Sequence, residues 1–108
     1  MDTVLLVTTT ISKKEEGVAL AKAALQKRLV ACAQLSAQCE SYYWWKGSIE
    51  QSGEYILTMK TQQSLYPELV RFIEKTHSYE TPEIVAVPVS HLSPAYHKWI
   101  QEELRERE

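Results

Sequence analysis

Three side chains able to do chemistry crowd into one short segment, His77-Ser78-Tyr79-Glu80-Thr81-Pro82-Glu83. An imidazole nitrogen and a carboxylate oxygen bind metals when several such groups converge, so His77 is the candidate metal ligand, with Tyr79 and Glu83 beside it. The plainer alternative is a surface histidine closing a helix, where the helix dipole favours it. Cys32 offers a soft donor for Cu(I), or a nucleophile if it shares a cleft with His77; the alternative is a small buried core residue. Lys60 ends a strand, and its charge beside Glu83 and His77 would hold an anionic ligand or form an ion pair. Tyr43, Trp44 and Trp45 sit at a hairpin tip, placed either to stack on a ligand or to anchor a subunit interface. Glu50 nearby is positioned to close a salt bridge between subunits. The ligand-binding candidates are therefore Cys32, Lys60, Tyr79, Glu83, Trp45 and Glu50. Cys39, His91 and His97 belong to no ligand pattern. No Ser-His-Asp or Cys-His-Asn signature is visible, so no catalytic residue is assigned and the expectation is a protein that is not an enzyme.

The elements that must position these groups follow from patterning. Thr3 to Thr9 reads as a buried strand. Ser12-Lys13-Lys14-Glu15 matches a capping box opening a helix, with Val18, Ala21, Leu25 and Leu29 as its apolar stripe; Gly17 weakens its first turn. Ala31 to Trp45 runs without glycine or proline to a Lys46-Gly47 corner, and the chain returns as a β-hairpin through Ser48-Ile49-Glu50 and, after a Ser52-Gly53 break, Glu54 to Thr61. An extended strand of that length spans about 45 Å, whereas a chain of this size packs into a globule roughly 34 Å across. The strand must bend at a bulge near Ser36-Ala37-Gln38, project its aromatic tip toward a partner chain, or both. In the return arm Tyr55, Leu57 and Met59 share one face, and Ile56, Thr58 and Lys60 the other. Ser64 opens a second helix with Pro67 in its first turn, burying Leu65, Leu69, Phe72, Ile73 and Thr76. Glu83 to Val87 reads as a fully buried strand ended by Pro88. Ser93-Pro94 starts a third helix carrying Tyr96, Trp99, Ile100 and Leu104 to a charged, fraying tail at Arg105. The order is βαββαβ plus a C-terminal helix, an α+β ferredoxin-like arrangement with an extended hairpin. One sheet face is left half covered, which favours oligomerisation.

Bulk properties bound the function. At 108 residues the chain is expected to be one domain over 1–108, large enough to bury about 65% of its unfolded surface. A net charge of −2 argues against phosphate-neutralising nucleic-acid binding. The longest apolar run, Val4-Leu5-Leu6-Val7, is far short of the roughly 20 residues of a membrane span. The two cysteines, Cys32 and Cys39, are seven positions apart, so on a regular strand they face opposite sides roughly 23 Å apart and cannot bridge. Two free thiols point to a reducing compartment, and the expected location is cytoplasmic.

Leu29-Val30-Ala31-Cys32-Ala33, Tyr43-Trp44-Trp45-Lys46-Gly47-Ser48-Ile49-Glu50, Lys60-Thr61, His77 to Glu83 and Tyr96-x-x-Trp99 together resemble the CutA divalent-cation-tolerance family across nearly the whole chain. The resemblance implies a homotrimer similar in architecture to the PII signalling proteins. Hairpins would pair between subunits, and clefts would lie at subunit boundaries. It also implies tolerance of copper and other divalent metals, with copper or another divalent cation as partner and no organic cofactor. Copper ligands proposed in relatives are a first-strand cysteine and two adjacent histidines. Here those positions hold Thr9 and Thr76-His77, and Ser78 stands where a proline is usual. The alternative is a PII-like small-ligand-binding or scaffold trimer without a physiological metal.

Overall fold

The computed structural model describes residues 2–104. Its strands are β1 (Val4–Ile11), β2 (Cys32–Trp45), β3 (Ser48–Gln62) and β4 (Val85–Pro88); its helices are α1 (Lys14–Gln26), α2 (Tyr66–Thr76) and α3 (Pro94–Glu103). They form one sheet in the order β2-β3-β1-β4, every neighbour antiparallel. This is the expected ferredoxin-like α+β order. The expected fraying of the tail at Arg105 lies outside the described residues.

The strand β3 runs unbroken through Ser52 and Gly53, which pair with Ser41 and Glu40, so the expected break there is absent. Its alternation separates the two faces. Leu57 and Met59 are fully buried beneath α1 and α2 with Val7, Leu69 and Ile73, and each such side chain contributes about 1.5–3 kcal/mol relative to exposure. Ile56, Thr58 and Lys60 lie on the other face and are half-buried, as the pattern predicts.

Several local expectations are corrected. The helix α1 begins at Lys14 with Lys13 as its cap and no side-chain cap bond, so Ser12 does not form a capping box. The buried stripe of α1 is Gly17, Leu20 and Ala24, while Leu25 is exposed. Close approach sets that rotation. A Cβ at Gly17 would stand 2.8 Å from Cδ1 of Leu35, so glycine there lets α1 close on β2. Thr76 is exposed, its hydroxyl donating to the Phe72 carbonyl at 2.8 Å. The strand β4 is shorter than expected and is an edge strand. Val85 and Val87 are about half exposed, at 49% and 53%, because they point to the face that α1 and α2 leave open. The α2 entry is a 3-10 turn (Gln63–Leu65) held by the Asp2 carboxylate, which accepts from the Ser64 amide at 3.1 Å and from its hydroxyl. At α3, Ser93 is the N-cap and accepts from the Tyr96 amide, as expected.

The hairpin extends beyond the layered part of the molecule, which measures 44 × 26 × 23 Å as a whole. Its corner takes positive φ at both Lys46 (51°) and Gly47 (84°), the twist that matches a two-residue hairpin turn. Trp44 is 72% and Ile49 63% exposed. The anticipated bulge is present: pairing slips between Leu35 and Gln38, so that Ser36 and Ala37 together face Ile56. The Ser36 hydroxyl accepts from the Ile56 amide at 2.8 Å and replaces the interrupted ladder bond.

Candidate functional site

The bulge decides which side chains of β2 look onto the open face of the sheet. Before it, Cys32 pairs with Lys60 and Gln34 with Thr58, so even-numbered residues face outward. After it, Cys39 pairs with Glu54, Ser41 with Ser52 and Tyr43 with Glu50. Directly paired residues share a face, and one extra residue reverses the parity of everything that follows. Tyr43 and Trp45 therefore join Glu50 and Glu54 on the open face. Cys39 comes round to the same side as Cys32, correcting the expectation of opposite faces. Both thiols remain free, since their partners Lys60 and Glu54 are about 20 Å apart along β3.

Beneath this part of the hairpin runs the segment from His77 to Ile84, joining α2 to β4. Between them lies a cleft of about 870 Å³. Its aromatic walls are Tyr43, Trp45 and Tyr79, with Tyr42 at the margin and its side chain turned to the opposite face, and its carboxylates are Glu50, Glu54, Glu80 and Glu83. Thr10, Ser41, Thr81 and Pro82 complete the lining, and no lysine, arginine or histidine takes part among the described residues.

Glu54, only 6% exposed, accepts a 2.6 Å hydrogen bond from the Tyr79 hydroxyl. Burial, and then the hydrogen bond and negative charge of Glu54, push the Tyr79 phenol far above its ordinary range; Ser12 acts weakly in the opposite sense. Tyr79 thus stands in the cleft as a neutral donor committed to a buried carboxylate. On the hairpin, the Tyr43 hydroxyl is 3.2 Å from that of Ser52.

His77 sits behind this wall. Its Nδ1 accepts from the Tyr79 amide at 3.0 Å, so Nε2 carries the hydrogen and donates to the Thr10 carbonyl at 2.9 Å. The two rings meet at 4.8 Å between centroids, tilted by 50°. His77 ties the segment to β1 and orients Tyr79, while the Ser78 hydroxyl donates to Glu16 on α1 at 2.7 Å. Thr9 faces the helix side, fully buried, with no partner for its hydroxyl among the described residues.

Cys32 and Lys60 occupy the far end of the open face. The Lys60 ammonium is 3.8 Å from the Cys32 sulfur and 3.4 Å from Oε1 of Gln34. The Tyr96 hydroxyl lies 3.6 Å from the same sulfur, and the Tyr96 ring stacks on Trp99. The hydrogen bond to Cys32 first, and burial second, raise the Tyr96 phenol above its ordinary value. Lys60 is therefore not beside His77 or Glu83. It pairs with Leu6 of β1, whereas His77 meets Thr10, about 13 Å further along that strand.

Of the residues singled out from sequence, Tyr79, Glu83, Trp45 and Glu50 come together at the cleft. Cys32 and Lys60 form a second group with Tyr96, and His77 buttresses the cleft from behind. Glu54, Glu80, Tyr42 and Thr10 were not anticipated. A signal for Glu54 existed: a carboxylate directly before the run Tyr55-Ile56-Leu57-Thr58-Met59 requires a partner if buried. Among the described residues no group of three or more His, Cys, Asp or Glu side chains is arranged to hold a metal ion.

The fold and the site define the class: a ferredoxin-like protein with one open sheet face and a projecting hairpin that roofs an aromatic and acidic cleft. The chain belongs to the CutA1 divalent ion tolerance protein family, which it matches over residues 5–103. It is 42% identical to mouse Protein CutA over 77% of its own length. It is 35% identical to the divalent-cation tolerance protein CutA of Pyrococcus horikoshii over 94% of this chain and 98% of that one. The crystal structure of CutA1 from Oryza sativa superposes with a TM-score of 0.94 at 31% identity, covering 97% of this chain and 96% of that chain. The chain spans about half the length of the mouse and human relatives it matches, 47% and 46%. Among the described residues no helix is long and apolar enough to cross a membrane. Relatives carry different location names: chloroplastic in Oryza sativa, periplasmic in a structure from Archaeoglobus fulgidus.

Proposed function

We propose that this chain is a non-enzymatic divalent-cation tolerance protein that works as a cytoplasmic homotrimer. The hairpin of each copy is received by a neighbour, and the cleft under it becomes a subunit boundary where copper or another divalent cation is met. The observation that carries this reading is the exposed aromatic arm, Tyr42 to Trp45 with Ile49, on a chain belonging to a family described by divalent ion tolerance. Large apolar side chains beyond the reach of their own core call for a covering surface. Cys32, Lys60, Tyr79, Glu83, Trp45 and Glu50 are the ligand-facing residues of this reading, and His77 its metal candidate. Within one chain the fit to an ion is poor. Both nitrogens of His77 already hold backbone groups, and the cleft carboxylates do not converge. An ion would need ligands from a neighbouring copy, or release of one His77 bond.

That misfit favours a second reading, a PII-like small-ligand or scaffold trimer without a physiological metal. Light scattering after gel filtration gives the mass, which should be three times 12.4 kDa. Calorimetric titration with Cu(II), anaerobic Cu(I) and Zn(II), comparing wild type with His77→Ala, then separates the readings. Binding that is lost in a trimeric His77→Ala supports the metal site. A trimer that binds none of the three moves the function to the second reading, and a monomer defeats both.

A further inference from the structure

The cleft beneath the hairpin has a chemical character that neither a bare divalent ion nor an anionic metabolite matches. Its charged lining is of one sign: Glu50, Glu80 and Glu83 at the cleft wall and Glu54 buried under Tyr79, with no basic side chain among the described lining residues; Lys46, outside the lining, already holds an ammonium 5.7 Å from the Trp45 ring centroid. These carboxylates are dispersed, since no three of them are arranged around a point where an ion would sit. Between them stand the rings of Tyr43, Trp45 and Tyr79. A compact ion such as Mg²⁺ or Zn²⁺ demands oxygen or nitrogen donors at about 2 Å from one centre. Dispersed carboxylates over aromatic walls suit the opposite kind of cation, one whose charge is spread along a body of methylenes. Aromatic faces attract ammonium groups through the ring quadrupole and accept CH₂ surface at the same time. The volume of about 870 Å³ lies within the range of roughly 300–1,000 Å³ usual for organic-ligand clefts.

We propose that this cleft binds an organic ammonium cation of the aliphatic di- or polyamine class. Its methylenes would lie on Trp45, Tyr43 and Tyr79, and its ammonium ends would meet Glu50 on the hairpin and Glu83 or Glu80 on the opposite wall. The assignment deepens the small-ligand reading of this cleft, and rests on the cleft staying open in the assembled protein. Glu54 is not a direct contact, because its carboxylate already accepts from Tyr79; it fixes the ring that forms one wall.

The test uses the full chain and two probes, spermidine and putrescine, titrated by calorimetry and by tryptophan fluorescence at constant ionic strength. MgCl₂ serves as the cation control and glutarate as the anion control. Light scattering on the same samples reports assembly separately. Spermidine is expected to bind saturably and more tightly than putrescine, and neither control should bind. The pair Glu50→Gln/Glu83→Gln, and separately Trp45→Ala, should each weaken spermidine by about tenfold or more, the loss expected for one good polar or cation–π contact in a partly desolvated site. Glu74→Gln, on an exposed face of α2 away from the cleft, should leave binding unchanged. Saturable binding that is unaffected by the cleft variants overturns the proposal, as does equal binding of Mg²⁺ or no spermidine binding by a trimeric protein. Spermidine binding by a protein that is not trimeric, lost in the cleft variants, supports the ligand class while defeating the assembly.

Discussion

Replacing Tyr79 with phenylalanine removes one oxygen and tests how the cleft wall is held. In the wild type that oxygen donates at 2.6 Å to Glu54, which is 6% exposed. The substitution would keep the ring, its place beside His77 and the amide bond to Nδ1, but would leave a buried carboxylate without its phenol donor. A hydrogen bond to a charged group contributes about 1.5–3 kcal/mol, so Tyr79→Phe should cost about 2 kcal/mol of unfolding free energy at pH 7. For a domain of about 100 residues that is on the order of 10 °C in Tm. The measurement is denaturant unfolding at one fixed chain concentration, because stability and assembly are linked by mass action. A double-mutant cycle with Glu54→Gln should return a coupling of about 1 kcal/mol or more. The pH dependence supplies an independent check. The folded phenol is held above its ordinary value of 10.0, so its contribution is fully present below pH 10. It is lost as the pH rises toward the folded value, because the unfolded tyrosine ionises first. The stability difference between wild type and Tyr79→Phe should therefore shrink above pH 10. A cost below about 0.5 kcal/mol, or a difference indifferent to alkaline pH, would refute this account of the wall.

Two further perturbations address the frame around the cleft. Gly17→Ala gains up to about 1 kcal/mol of helix propensity, but drives a Cβ to 2.8 Å from Cδ1 and 3.2 Å from Cδ2 of Leu35. The overpacking, at about 1–3 kcal/mol, should win by about 1 kcal/mol in equilibrium unfolding, and the loss should disappear in a Leu35→Ala background. Deleting Ala37 removes the extra residue of the bulge and should turn Tyr43 and Trp45 to the opposite face. Far-UV circular dichroism should be retained while any cleft binding found in the titrations is lost; retained binding would mean that the parity argument is wrong.

Much of the fold was legible because its determinants are local. The alternation of Tyr55 to Lys60, Ser93 before Pro94 and the unbroken run from Ala31 each signal one element without needing the rest. The site was legible only in part. Tyr79, Glu83, Trp45 and Glu50 belong to segments with evident chemistry, and the structure brings them together. The misplacements share one cause: side-chain direction depends on tertiary neighbours. Lys60 reads as a neighbour of His77 until the β1–β3 register fixes their separation. The α1 stripe reads as Val18, Ala21 and Leu25 until the contact of Gly17 with Leu35 rotates it. The strand β4 reads as doubly buried until its edge position leaves Val85 and Val87 exposed. For Cys39, the sequence suggested where the strand bends but did not reveal how the bend reverses parity beyond it.

That reversal ties the fold to the function. The cover provided by α1 ends at Leu35, where Gly17 allows close approach, and the bulge follows at once at Ser36-Ala37. Beyond that point neither face of the hairpin has a helix of its own chain, and from Ser48 to Gly53 the return strand has no buried residue. Had the register continued unbroken, Tyr43 and Trp45 would have pointed to the helix side, where nothing covers them, and Trp44 would have faced the cleft. The extra residue places the ring of Tyr43 and the carboxylate of Glu50 opposite each other, above the segment that carries Tyr79 and Glu83. It also adds twist and bend to an arm that must leave the globule. One inserted residue thus does two things at once: it assembles the cleft within a chain, and it directs the remaining apolar face, Trp44 paired with Ile49, outward. If that face is what a second copy covers, then the cleft and the assembly are set by the same bulge, and a change that removes one should remove the other.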